Sequence, residues 1–109
     1  MTVQELIHSM GLTAFHLAQP ERPVSGGYVG DLLSWVMGRA GQDCAWLTIM
    51  SNQNVAAVAL MADVSCVILT EGVQPDADLL RRAQEKEVNL LGMGLDTFAA
   101  ACLLGNVLS

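Results

Sequence analysis

Positive charge is scarce in this chain. Five Lys and Arg residues stand against eleven Asp and Glu, giving a formal net charge of −6 over 109 residues, and the basic residues form no stripe. A protein that grips nucleic acid neutralises phosphates with Lys or Arg, so this balance argues against a nucleic-acid partner. Long apolar runs are missing as well. The longest, Val55 to Ala62, falls far short of the roughly 20 residues that cross a bilayer. The N-terminus has no basic start followed by an apolar stretch, so no signal peptide is read there. A cytoplasmic protein without a membrane partner is expected. Cysteine is sparse and unpaired: Cys44, Cys66 and Cys102 are odd in number, far apart and set among apolar neighbours. Neither a disulfide framework nor C-x-x-C metal spacing is present, and all three are expected as buried thiols.

Catalytic signatures are absent too. There is no G-x-x-x-x-G-K-[ST], and the single lysine, Lys86, lies late in a helical segment. Gly26-Gly27-Tyr28-Val29-Gly30 lacks the G-x-G-x-x-G pattern, and no serine sits in a G-x-S-x-G elbow. His8 and His16 have no neighbours at metal-ligand spacing. No catalytic residue, metal ligand or cofactor is therefore assigned, and a non-catalytic protein is expected.

What the chain does have is apolar character: 52% hydrophobic residues with 15% charged. Part of that excess is expected to be covered by a second subunit rather than by the domain's own core. The length suits a single domain over 1–109 with a real core.

Along the chain, Thr2 and Glu5 form a Thr-x-x-Glu capping box. Val3, Leu6, Ile7 and Met10 follow on one helical face, and Gly11 ends the helix. A first strand is read over 12–17, a proline-broken turn over 19–23, a second strand over 24–30 and a helix over 31–38 capped by Asp31. Residues 44–50 form a buried strand, and Ser51 or Asn52 caps a helix over 54–62. A strand over 65–70, a helix from Pro75-Asp76 to about residue 87 and a short strand over 88–92 follow. In that helix Asp78 and Arg82 stand as an i,i+4 pair. Asp96 caps a last helix with Phe98, Ala99, Cys102, Leu103 and Val107 on one face. Strands alternating with helices of this length predict an α/β fold, a mostly parallel sheet of about four to five strands with helices packed on it.

In such sheets ligands gather beyond the carboxyl ends of the strands. The polar residues expected there are Asp31, Ser51, Asn52, Asn54, Thr70, Glu71 and Gly72. They serve either as caps and turn residues or as a converging site for one small polar ligand. Tyr28, Trp35 and Met37 are open to three roles: core, stacking platform or dimer seam. The Gly26-Gly27 pair inside a strand calls for positive φ or for close approach of another backbone or a ligand.

The run Glu21-Arg22-Pro23-Val24-Ser25-Gly26-Gly27, followed by Tyr28-Val29-Gly30-Asp31-Leu32-Leu33-Ser34, resembles the signature of the DRTGG domain family. Glu21 stands for the family's Asp and Ser25 for its Thr. The Trp46-Leu47-Thr48-Ile49 strand, the Asn54-Val55 helix start and Ile68-Leu69-Thr70-Glu71-Gly72 are similar to the family as well. The resemblance implies a fold like the N-terminal domain of HPr kinase/phosphorylase, without the kinase's phosphate loop. It implies a regulatory or assembly role, as such domains have beside CBS domains in regulatory pyrophosphatases. Arg22, Ser25, Gly26, Gly27, Tyr28, Asp31 and Ser34 thereby join the ligand or interface candidates. The leading expectation is a non-catalytic homodimeric module that senses a small polar ligand. The alternatives are a protein-partner adaptor for an iron-only hydrogenase or other redox system, and a small enzyme or enzyme subunit using the polar strand ends.

Overall fold

The computed structural model describes all 109 residues. Its elements are α1 (Val3–Met10), β1 (Thr13–His16), β2 (Gly26–Val29), α2 (Leu33–Arg39), β3 (Cys44–Thr48), α3 (Asn54–Ala62), β4 (Cys66–Leu69), α4 (Ala77–Lys86), β5 (Leu90–Gly92) and α5 (Thr97–Leu108). All ten elements were legible in the sequence; the strands are two to three residues shorter than read.

The five strands form one sheet in the order β1-β5-β4-β3-β2. β2 through β5 are parallel, and β1 joins β5 antiparallel at one edge. Because β2, β3, β4 and β5 are laid down side by side in chain order, each crossover helix falls on the same face of the sheet. The helices α2, α3 and α4 cover that face, while α1 and α5 cover the other. The apolar strands still alternate. Cys44, Trp46, Val67, Leu69 and Leu90 fill the first core, and Ala45, Leu47, Cys66, Ile68 and Leu91 fill the second. Trp46 is fully buried, and its indole N–H donates to the Gly30 carbonyl at 2.8 Å, which settles the one polar atom in that part of the core.

Local signals at α1 hold as read. The Thr2 hydroxyl accepts from Glu5 N–H, the Glu5 carboxylate accepts from Thr2 N–H, and Gly11 closes the helix at φ 66°. The hydrogen bond from Thr2 N–H, reinforced by the Thr2 hydroxyl, holds the Glu5 carboxyl below its ordinary value. The Asp96 carboxylate caps α5 by accepting from Ala99 N–H at 2.9 Å.

Other local readings are corrected. Asp31 does not cap α2: the helix begins at Leu33, Leu32 holds the capping position with no side-chain bond, and Asp31 reaches instead toward β3. Ser51 does not cap α3. Asn52 accepts from Asn54 N–H at 2.9 Å, one residue ahead of the capping position at Gln53. Asp78 pairs with Arg81 at 2.9 Å, not with Arg82. On α5 the buried residues are Ala100 and Leu104, so the stripe is turned away from Phe98 and Cys102, both exposed. Cys102 is therefore not a buried thiol, whereas Cys44 and Cys66 are. Uniformly apolar composition hid the phase of α5, since its sequence offers no polar stripe to mark the outer side.

The glycine pair takes a different explanation from the one expected. Neither Gly26 nor Gly27 has positive φ. A Cβ on Gly27 would stand 2.6 Å from Leu104 Cδ2, so α5 packs on the bare strand; a Cβ on Gly26 would meet nothing within 4 Å. The close approach is by a side chain of the same chain, and it concerns one glycine only.

Candidate functional site

The candidate residues separate to opposite ends of the sheet. At the carboxyl ends of the strands lie Asp31, Ser34, Ser51, Asn52, Asn54, Thr70, Glu71 and Gly72. At the amino ends lie Arg22 and Ser25, with Gly26, Gly27 and Tyr28 along edge strand β2.

The polar groups at the carboxyl end are bonded to one another and to the loops. Asp31 Oδ1 accepts from the Thr48 hydroxyl at 2.8 Å and from Ile49 N–H at 3.0 Å. That ties the loop after β2 to the loop after β3. The Thr48 hydroxyl in turn accepts from Met50 N–H at 3.2 Å. The buried Thr70 hydroxyl lies 2.7 Å from the Thr97 hydroxyl. Glu71 Oε2 accepts from Thr97 N–H at 2.8 Å, holding the start of α5 from outside the helix. Glu71 and Gly72 make their turn with φ of 62° and 71°, and their N–H groups donate to Leu95 and Met93 carbonyls. Ser51 contributes its carbonyl, which accepts from Asp76 N–H at 3.1 Å. No buried side-chain nitrogen or oxygen lacks a partner, and no three His, Cys, Asp or Glu side chains cluster as metal ligands would. Polar groups spent on closing loops are not poised for a ligand.

Apolar side chains are also exposed at this end, beside the exposed Asp31, Ser34, Asn54 and Glu71. Leu32 follows β2, Ile49 follows β3, Leu95 follows β5, Phe98 opens α5 and Trp35 lies in the first turn of α2. Their exposures are 60, 45, 42, 80 and 54%, with Val29 on edge strand β2 at 49%. Arg39 lies over the Trp35 ring at 4.0 Å, and Met37, two residues on from Trp35 in α2, is exposed as well. Of the three aromatic or Met residues with open roles, only Tyr28 packs on the core.

At the opposite end Arg22 has a structural task. The connection from β1 to β2 passes under the amino ends of the intervening strands, and Arg22 fastens it there. Its guanidinium donates to Asp43 Oδ1 at 3.0 and 3.1 Å, to Asp63 Oδ1 at 2.5 Å and to the Asp63 carbonyl at 2.7 Å. Asp43 precedes β3 and Asp63 ends α3, both at positive φ. Burial opposes the charged guanidinium, but the bonds to Asp63 and Asp43 outweigh it and the Arg22 pKa is raised. Ser25 donates from its hydroxyl to the Gln42 carbonyl at 3.2 Å. Asn89 anchors the other end of the same connection, accepting from Ala18 and Gln19 N–H and donating to the Gln19 and Ser65 carbonyls. Sequence reasoning missed Asp43, Asp63 and Asn89. The recurrence of Asp one to three residues ahead of a Cys-led apolar strand was the available signal.

The model of the DRTGG domain matches residues 35–107. That match begins after the Glu21–Ser34 run and runs from within α2 to α5. A crystal structure of the CBS and DRTGG domains of the regulatory region of Clostridium perfringens pyrophosphatase, complexed with its activator diadenosine tetraphosphate, superposes with a TM-score of 0.71 at 14% identity. The superposition covers 94% of this chain and 45% of that one, so this chain spans less than half of its solved relative. No curated protein matches the chain in sequence. With two thirds of its length matched by the family model and its fold shared with a DRTGG-containing structure, this chain belongs to the DRTGG domain family.

Proposed function

We propose that this chain is a non-catalytic regulatory module of the cytoplasm that works as a homodimer, joined through the apolar carboxyl end of its sheet. The observation that carries this reading is the set Leu32, Trp35, Ile49, Leu95 and Phe98, exposed where an α/β enzyme would present polar groups. Aromatic residues and Met are enriched at protein interfaces, and a Phe left 80% in water gains most from being covered. The parallel strands run in chain order without reversal, so the fold lacks the crevice at a topological switch point in which such sheets bind substrates. The regulatory setting of the Clostridium perfringens relative, whose region holds an activator, supports a regulatory role and response to a small ligand here too.

Sedimentation velocity across a micromolar concentration series tests the reading. The wild type is expected as a dimer, and Phe98→Asp or Leu32→Asp is expected to weaken association at least about tenfold, the equivalent of ~1.4 kcal/mol. Their melting as monomers should stay unchanged because both side chains are exposed. A wild-type monomer well above micromolar concentration overturns the dimer.

A further inference from the structure

Three of the five cations in this chain are already engaged. Arg22 pairs with Asp43 and Asp63, Arg81 with Asp78 and Glu85, and Arg39 lies over Trp35. Arg82 and Lys86 have no such partner, and they stand one turn apart on the outer side of α4. Both line a groove of about 340 Å³ whose other wall is α3, with Asn54, Ala57, Leu60 and Met61 along it. Leu60 and Met61 are 53 and 62% exposed, and the short Ala57 side chain leaves the space between the helices open.

An apolar wall facing two free cations has a definite chemical preference. The Leu60 and Met61 side chains favour a hydrocarbon or planar body, whose burial removes water from both surfaces. Arg82 and Lys86 repel each other mildly at i,i+4 spacing, and an anion between them converts that repulsion into charge-assisted hydrogen bonds. The net charge of −6 disfavours highly charged anions, and the two cations match a head group of about two negative charges. A second copy is disfavoured here, since a two-fold contact brings each cation pair toward its twin. The groove lies on the face covered by α2, α3 and α4, its α3 wall running from Asn54 near the strand ends to Leu60 and Met61 farther along the helix.

We infer that the α3–α4 groove binds a small amphiphilic organic anion, with its anionic head on Arg82 and Lys86 and its apolar body along Ala57, Leu60 and Met61. The inference rests on the ligand response proposed above and is independent of the dimer. Amide chemical shifts of the full chain, titrated with AMP and with octyl phosphate, test it against inorganic phosphate. Saturable shifts at Ala57, Leu60, Met61, Arg82 and Lys86 are expected for at least one of the two organic phosphates. AMP alone would identify a nucleotide-type ligand and octyl phosphate alone an alkyl phosphate. Inorganic phosphate and the Arg82→Gln/Lys86→Gln variant should each give affinity at least about tenfold weaker. Both variant positions are exposed, so the fold survives and the spectrum itself verifies it. Phe98→Asp should bind as the wild type does, which separates failure of the groove from failure of the dimer. The inference falls if neither probe gives saturable shifts by about 5 mM, if inorganic phosphate matches them, or if the double variant binds equally. Concentration-dependent shifts of the same amides without ligand would assign the groove to a second copy and overturn it as well.

Discussion

Gly26 and Gly27 are neighbours on an edge strand, yet a methyl group added to each should act with opposite sign. At Gly26 the added Cβ meets nothing within 4 Å and φ is not positive. Alanine there restricts the unfolded chain without straining the folded one, a gain of about 0.4–1 kcal/mol. At Gly27 the Cβ would stand 2.6 Å from Leu104 Cδ2, well inside the ~3.5–4.0 Å of a favourable carbon contact. Leu104 is only 4% exposed, so its side chain turns at the expense of core contacts. Overpacking of this kind costs roughly 1–3 kcal/mol; less the entropic gain, Gly27→Ala should lose about 1–2 kcal/mol. Urea unfolding followed by circular dichroism, in the Phe98→Asp background to keep self-association out of the measurement, resolves a difference of that size. A change of 1 kcal/mol corresponds to a melting shift of about 4 °C in a domain of this length. A double-mutant cycle identifies the cause. With Leu104→Ala in place the collision is gone, and Gly27→Ala should become neutral or stabilising, a coupling of roughly 1–2 kcal/mol. Equal effects from the two glycines, or a Gly27→Ala cost that persists without the Leu104 side chain, would refute the reasoning.

Three further outcomes follow from the buried and half-buried ionisable groups. Arg22→Ala should lower stability by about 2 kcal/mol, between the exposed and the buried limits for ion pairs, because Arg22 is 19% exposed while Asp63 is 51%. Arg22→Lys should recover little of that in urea unfolding, since an ammonium cannot make the fork to two loops, and recovery by lysine would show that charge alone suffices. Iodoacetamide mass spectrometry at pH 8 should label Cys102 first, with Cys44 and Cys66 protected until the chain unfolds, as burial raises both thiols and pushes Cys66 up to about 12. In the unfolded chain Cys66 ionises near its ordinary 9.0, so its contribution to stability is complete below that pH and declines as pH rises from there toward 12. A wild-type melting temperature that does not fall across this window, or a fall of the same size in Cys66→Ala, would contradict that origin.

The fold was legible because its elements carry independent local signals. The capping box at Thr2 and Glu5, the caps at Asp76 and Asp96, and the all-apolar strands at 44–48 and 66–69 each point to one structure. Phase and long-range pairing were not legible. The outward turn of Phe98 and Cys102 depends on where α5 meets the sheet, and the partners of Arg22 and Asn89 lie 21 to 71 residues away. Asp31 shows the same limit: its type suits a cap, but the loop geometry after β2 brings it to Thr48 and Ile49 instead. Of the candidate site, the location of the strand-end residues was readable and their employment was not.

That employment follows from topology. Strands wound in one direction leave short loops stacked side by side at the carboxyl edge, and each loop must satisfy its own backbone donors. Asp31, Thr48, Thr70 and Glu71 do so by bonding across to the next loop, which closes the edge and leaves Leu32, Ile49, Leu95 and Phe98 pointing out of it. The high apolar content thus has two destinations: a double core on the two faces of the sheet and a surface at its end. On the reading proposed above, recognition falls to the outer surfaces of the domain. There the end of the sheet offers hydrocarbon for another subunit, while the α3–α4 groove offers hydrocarbon with two free cations. Between the proposed groove and the proposed dimer face, the amino ends of α3 and α4 are tied to the carboxyl-edge loops by the Asp76 N–H bond to Ser51, and α3 also packs on α2, which carries Trp35. Coupling between the two proposed events along these contacts requires a differential affinity of the ligand for monomer and dimer.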